Sequence, residues 1–104
     1  MITANFFTDG GEPVGFEISG HSGYAAAGED IVCAAVSSAV GLCECAITDV
    51  IGAAAKIEVS PEDATVRLRL REDCREARDM IAALMLHLTA IRDDYPEYIE
   101  VLEV

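Results

Sequence analysis

The stretch "GHSGYAAAGEDIVCAAVSSAV", residues 20–40, holds His21 and, twelve positions later, Cys33. The chain has only two histidines and four cysteines. A cysteine becomes a nucleophile when its thiolate is stabilised by a helix N-terminus, a neighbouring imidazolium, or both. If Asp30 is the cap of the helix that follows, Cys33 is its third residue. There the unpaired backbone N–H groups and the helix dipole favour negative charge and bring a cysteine pKa from about 8.5 into a range of about 3.5 to 7.5. The same N–H groups suit the oxyanion that forms when a thiolate attacks a carbonyl. His21 precedes a loop long enough to fold back, so its imidazole is the candidate general base and acid.

The loop between them is built from Gly20, Ser22, Gly23 and Gly28 with a run of alanines, and Tyr24 is its one large side chain. So little bulk leaves room for an extended peptide, with Tyr24 as a lid or contact residue. Ser37, one turn beyond Cys33, shares its helix face and either hydrogen-bonds near the thiol or bonds its own i−4 carbonyl. The plain alternative is that Cys33 is a small buried hydrophobe and His21 a surface residue. Cys43 and Cys45, two apart on one helix, point to separate faces and read as core. Cys74 opens a second helix beside Arg75, but His87 lies more than three turns further along it, which makes this pair a weak competitor.

The elements that position these residues follow from hydropathy patterning. Residues 2–8 and the alternating Val14, Phe16, Ile18 against Gly15, Glu17, Ser19 form a hairpin around "GGEP". The proline-free, Ala/Val/Ile/Cys-rich stretch from about Glu29 to Gly52 reads as a long buried helix. A second hairpin pairs Ile57 and Val59 with Val66, Leu68 and Leu70 across a "SPED" turn. Arg67, Arg69 and Arg71 line its other face as a solvated surface with cross-strand ion pairs. Asp73 caps a second helix running to about Asp93, with Ala77, Ile81, Leu84, Leu88 and Ile91 at helical spacing. Met80, Ala82, Met85 and Leu86 widen its apolar surface beyond one stripe and point to a homodimer. A final strand follows Pro96. The order ββαββαβ implies one two-layer α+β domain over residues 1–104, with a mainly antiparallel sheet of about five strands and two helices.

Composition bounds the function. The start "MITANFFTDG" lacks the basic flank and apolar core of a signal peptide, and uninterrupted apolar runs such as "MIAALML" are too short to span a bilayer, so a cytoplasmic protein without a membrane partner is expected. The cysteines at 33, 43, 45 and 74 show no Cys-x-x-Cys spacing, which argues against a metal or other cofactor and favours free thiols. Nineteen acidic against seven basic residues give a net charge of −12, which repels nucleic acid and favours a basic protein partner.

"GH" at 20–21 and "GEDIVCAAVS" at 28–37 resemble the ribosomal-processing cysteine protease family, Prp, of Firmicutes and related bacteria, and the likeness in length and element order extends over nearly the whole chain. The resemblance implies a small dimeric enzyme that removes a short N-terminal extension from a large-subunit ribosomal protein, after a Phe-rich motif, exposing a basic terminus needed for ribosome assembly. It implies Cys33 as nucleophile and His21 as base, with Asp30 and Ser37 in supporting places, and a loop from Ser22 to Glu29 that orders on substrate. Ser22 departs from the alanine common after the family histidine. Two other functions compete on the residues alone: a non-catalytic, dimeric, acidic binding module or chaperone for a basic ribosomal protein, and a thiol redox protein, which lacks a resolving cysteine in motif spacing.

Overall fold

The computed structural model describes residues 1–20 and 27–104, with the backbone alone for 27–30. Strands β1 (Ile2–Asp9) and β2 (Glu12–Ser19) form the first hairpin, and β3 (Ala55–Ser60) and β4 (Thr65–Leu70) the second. Helices α1 (Ala27–Cys45) and α2 (Arg75–Asp94) each follow a hairpin, and β5 (Ile99–Glu103) ends the order ββαββαβ. The sheet runs β3-β4-β2-β1-β5. Three pairings are antiparallel, but β5 lies parallel to β1, so the five-stranded sheet is mixed.

The alternation read from the sequence sorts the strands onto two faces. Ile2, Ala4 and Phe6 of β1, Phe16 and Ile18 of β2, and Leu68 of β4 point to the helix layer and are buried. Phe6 and Phe16 stand opposite each other in register, ring centroids 6.2 Å apart. From the helices, Val32, Val36, Val40, Cys43 and Ile47 descend from one side and Ala77, Ile81, Leu84 and Leu88 from the other to complete a single core. Truncating a side chain such as Phe6 to alanine would cost about 3–5 kcal/mol. On the opposite face Arg67 donates through Nε to Glu17 Oε2 at 2.7 Å, and the Arg67 and Arg69 guanidinium groups lie 5.7 and 4.9 Å from the Phe7 ring centroid. Of the arginine stripe, Arg67 thus makes the expected cross-strand ion pair, while Arg69 stacks on Phe7.

Two helices are too narrow to roof five strands. Ile57 and Val59 of β3 share the face of Leu68 and Val66 by register, yet they are 38% and 64% exposed because among the described residues no helix lies above the β3 edge. The gap that results is a groove between α1 and the second hairpin.

Both helix starts differ from expectation. α1 begins at Ala27, so Asp30 is its fourth residue rather than its cap, and Gly28 belongs to the helix rather than to the loop. Alanine is the strongest helix former, and acids in a first turn complement the dipole, so "AGED" extends the helix toward the N-terminus. α2 is capped at Cys74, whose side chain makes no capping hydrogen bond, while Asp73 Oδ1 pairs with Arg78 at 3.0 Å. The guanidinium takes the carboxylate away from the capping role.

At its other end α1 passes into a π-helical turn, Ala46–Ile51, closed by Gly52 at φ 74°, whose N–H reaches back to the Ile47 carbonyl. Within the continuous helical stretch, Ile31–Ile51 has mean hydropathy 1.9 and is long and apolar enough to cross a membrane by length and composition, which a search for uninterrupted apolar runs does not reveal. About a third of that stretch is buried in the core, Val32, Val36, Val40 and Ile47 among it.

Candidate active site

Cys33 is 3% exposed on the inner face of α1. It borders a small cavity of about 30 Å³ lined also by Ile2, Ile18, Ser19, Val36, Ser37 and Ala64, where the starts of β1 and β4 and the end of β2 converge beneath the helix. Ser37 is exposed and shares this lining, so the structure brings Cys33 and Ser37 together. His21, Ser22, Gly23 and Tyr24 lie outside the described residues, as does the side chain of Asp30.

Gly20 is the last described residue before that segment, and its backbone explains its identity. With φ at +91°, it sits so close to the Met1 carbonyl oxygen that a Cβ at this position would overlap it. The strand therefore leaves the sheet through a position only glycine fits, directly after Ser19 of the cavity wall.

Because α1 starts at Ala27, Cys33 is its seventh residue, and the expected place in the first turn is corrected. The amides left without helical partners belong to the first four residues, and the dipole's influence fades within the same turn. The Cys33 amide is inside the helical ladder, so the double role expected of the helix end, in holding both thiolate and oxyanion, does not fall to this position.

The other thiols differ. Cys43 is buried, with Sγ 3.8 Å from the Met80 carbonyl oxygen, and burial, reinforced by the charge of Glu44, pushes its pKa up to about 11. Cys45 is exposed, which corrects its expected place in the core, since two helical positions turn a side chain by about 200°. Cys74 is partly buried, its sulfur 3.6 Å from Glu76 Oε2. One Cys–His neighbourhood is invisible in the sequence spacing: Cys43 and His87 both line a groove of about 340 Å³ between α1 and α2, with Leu42 and Met80. Burial and the charge of Glu44 both resist removal of the Cys43 proton, which makes this second groove the poorer catalytic candidate. Among the described residues no three His, Cys, Asp or Glu side chains gather as a metal site.

Over residues 1–100 the sequence matches the peptidase family described as Cysteine protease Prp. The chain belongs to that family. No curated protein sequence matches it. Among solved structures, it is similar to the essential ribosomal processing protease Prp from S. aureus in complex with a substrate peptide, at TM-score 0.92 and 22% identity, with both chains covered in full. The same S. aureus protease carrying a covalently linked product peptide gives 0.89 and 23%, again with full coverage of both. SMU.848 from Streptococcus mutans gives 0.90 and 24%, covering all of this chain and 94% of the other. At these identities the likeness speaks to the shared ββαββαβ fold, and membership of the Prp family carries the connection to cysteine proteolysis.

Proposed function

We propose that this Prp-family chain is a cysteine endopeptidase in which Cys33 is the nucleophile and His21 its general base and acid. The observation that carries the reading is the cavity at Cys33. It is walled by Ser19, and His21 lies two residues further along the chain, within about 7 Å of Ser19 by backbone reach. In the proposed reaction the imidazole takes the thiol proton and the thiolate attacks the scissile carbonyl. The protonated imidazole then gives its proton to the leaving amine as the acyl-enzyme forms, and a water activated by the same ring releases the acyl group. With the helix amides engaged elsewhere, the thiolate depends chiefly on the imidazolium. Asp30 and Ser37 take supporting places near the dyad, and Gly20, Ser22, Gly23, Tyr24 and Gly28 belong to or adjoin the substrate-binding segment.

The proposed substrate is the short N-terminal extension of a basic large-subunit ribosomal protein, cut in the cytoplasm. What supports it is the family relationship together with the chain's net charge of −12, which would speed encounter with a basic partner at low salt. A homodimer through the α1–α2 face belongs to the same reading, supported by the 69% exposure of Leu42 beside the interhelical groove.

The test is cleavage of a ribosomal-protein N-terminal peptide containing Phe-Phe, followed by mass spectrometry. The wild type is expected to cut it once, and both Cys33→Ala and His21→Ala to leave it intact. Turnover undiminished in Cys33→Ala would reject the assignment. The burial of Cys33 favours one rival, an acidic binding module with an inert thiol. That rival predicts peptide binding without cleavage by the wild type.

A further inference from the structure

The cavity at Cys33 adjoins the groove that the narrow helix layer leaves uncovered. The two share Ile18, Val36, Ser37 and Ala64. The groove encloses about 380 Å³, continues along α1 past Val40 and Gly41, has Val59 and Pro61 of the second hairpin as its far wall, and includes Glu44 in its lining. Among the described residues no lysine, arginine or histidine lines it.

Glu44 is the anomaly in this apolar channel. Its backbone carbonyl accepts the Thr48 hydroxyl at 2.8 Å, but among the described residues its carboxylate has neither a cation nor a hydrogen-bond donor. It is half-buried, and burial alone raises its pKa above the ordinary carboxylate value. A carboxylate drawn out of water without a partner is a cost to the folded chain that an incoming cation would relieve. The acids of the hairpin turn, Glu62 and Asp63, stand exposed and add no positive charge nearby.

Resting on the reading of Cys33 as the nucleophile, we propose that Glu44 is a specificity residue that receives a lysine or arginine of the substrate, about five residues from the scissile bond. The spacing follows from geometry. Glu44 lies eleven helical steps beyond Cys33, about 16 Å of rise, which an extended peptide covers in about five residues at ~3.3 Å each. Between the two ends, the peptide's apolar side chains lie against Val36, Val40 and Val59.

The test uses neutral peptides with a central Phe-Phe and a single lysine walked from two to seven residues away on either side, with norleucine as the uncharged control. Binding to Cys33→Ala protein is read by fluorescence anisotropy and cleavage by wild-type protein as kcat/KM. Lysine about five residues away on one side is expected to bind about tenfold more tightly than norleucine. That preference should vanish in Glu44→Gln and pass to a glutamate-bearing peptide in Glu44→Lys. Equal preference for lysine with and without the Glu44→Gln substitution, both proteins shown folded by circular dichroism, would overturn the proposal. Because binding is measured in protein lacking the thiol, a Glu44-dependent preference without wild-type cleavage would sink the protease reading and leave the cation site standing.

Discussion

Helix α1 turns one cysteine toward each of two clefts, and the clefts differ in what surrounds the sulfur. Cys33 meets a cavity formed where three strand ends converge, next to the segment that carries His21, and this cavity adjoins a groove lined by Glu44, whose carboxylate has no partner among the described residues. Cys43 meets an interhelical groove with His87 in its lining, but desolvation and the adjacent Glu44 hold its thiol protonated. A cysteine and a histidine lining one groove are thus insufficient to mark a reactive pair. The electrostatic setting of the sulfur decides, and it decides against Cys43.

The contrast is broken most directly by exchanging the roles. Cys33→Ala is expected to lower kcat/KM for peptide cleavage by at least about a thousandfold, whereas Cys43→Ser changes it little, as steady-state assays of both proteins would show. Comparable losses in the two would mean that the wrong cleft has been chosen. Chemical reactivity sharpens the same comparison. In a Cys45→Ser, Cys74→Ser background at pH 8, Cys43 sits about three pH units below its pKa of about 11, so roughly one molecule in a thousand carries the thiolate. Iodoacetamide is expected to label Cys33 at least about tenfold faster, measured by peptide mass spectrometry, and faster labelling of Cys43 would reverse the assignment.

The interhelical groove has its own expected behaviour. Leu42→Glu places a charge on its rim and should shift the sedimentation coefficient from dimer toward monomer. A wild type already monomeric at the same concentration would remove the dimer from the proposal. The smallest effect concerns Glu44. Its folded-state pKa is raised, so its ionised form penalises the folded chain above that pKa, and the penalty fades as the pH falls through it toward the ordinary 4.5. Glu44→Gln should therefore raise Tm modestly at pH 7 and by progressively less toward pH 4, as thermal melts across that range would show.

Much of the frame is legible in the residue pattern because strand and helix periodicities are local. Phe16 and Ile18 against Glu17 specify which face of β2 is inward, and Ala77, Ile81, Leu84 and Leu88 trace the buried stripe of α2. What the pattern does not carry is non-local or cooperative. The parallel pairing of β5 with β1 depends on where α2 returns the chain. Nothing in "AITDVI" announces a π-helical turn, which is set by how Gly52 closes the helix. The start of α1 is obscured by Gly28, which reads as loop beside Gly20 and Gly23 yet is helical between Ala27 and Glu29. That shift moves Cys33 out of the first turn and, in the proposed mechanism, leaves the imidazole of His21 to support the attacking sulfur. Glu44 draws no notice in the sequence because an acid on a helix usually faces water. Only the gap above the β3 edge reveals that it borders a channel.

The closeness of Gly20 to Met1, with Ile2 in the wall of the cavity, has a practical side. Residues joined ahead of Met1 would emerge beside the cavity that Ile2 and Cys33 line, so an affinity tag fused at that end would hang at the mouth of the proposed catalytic cleft as a tethered competitor. Val104, tied by its backbone to Phe6 and Thr8, is held at the opposite end of β1, and a fusion there would leave the cleft clear.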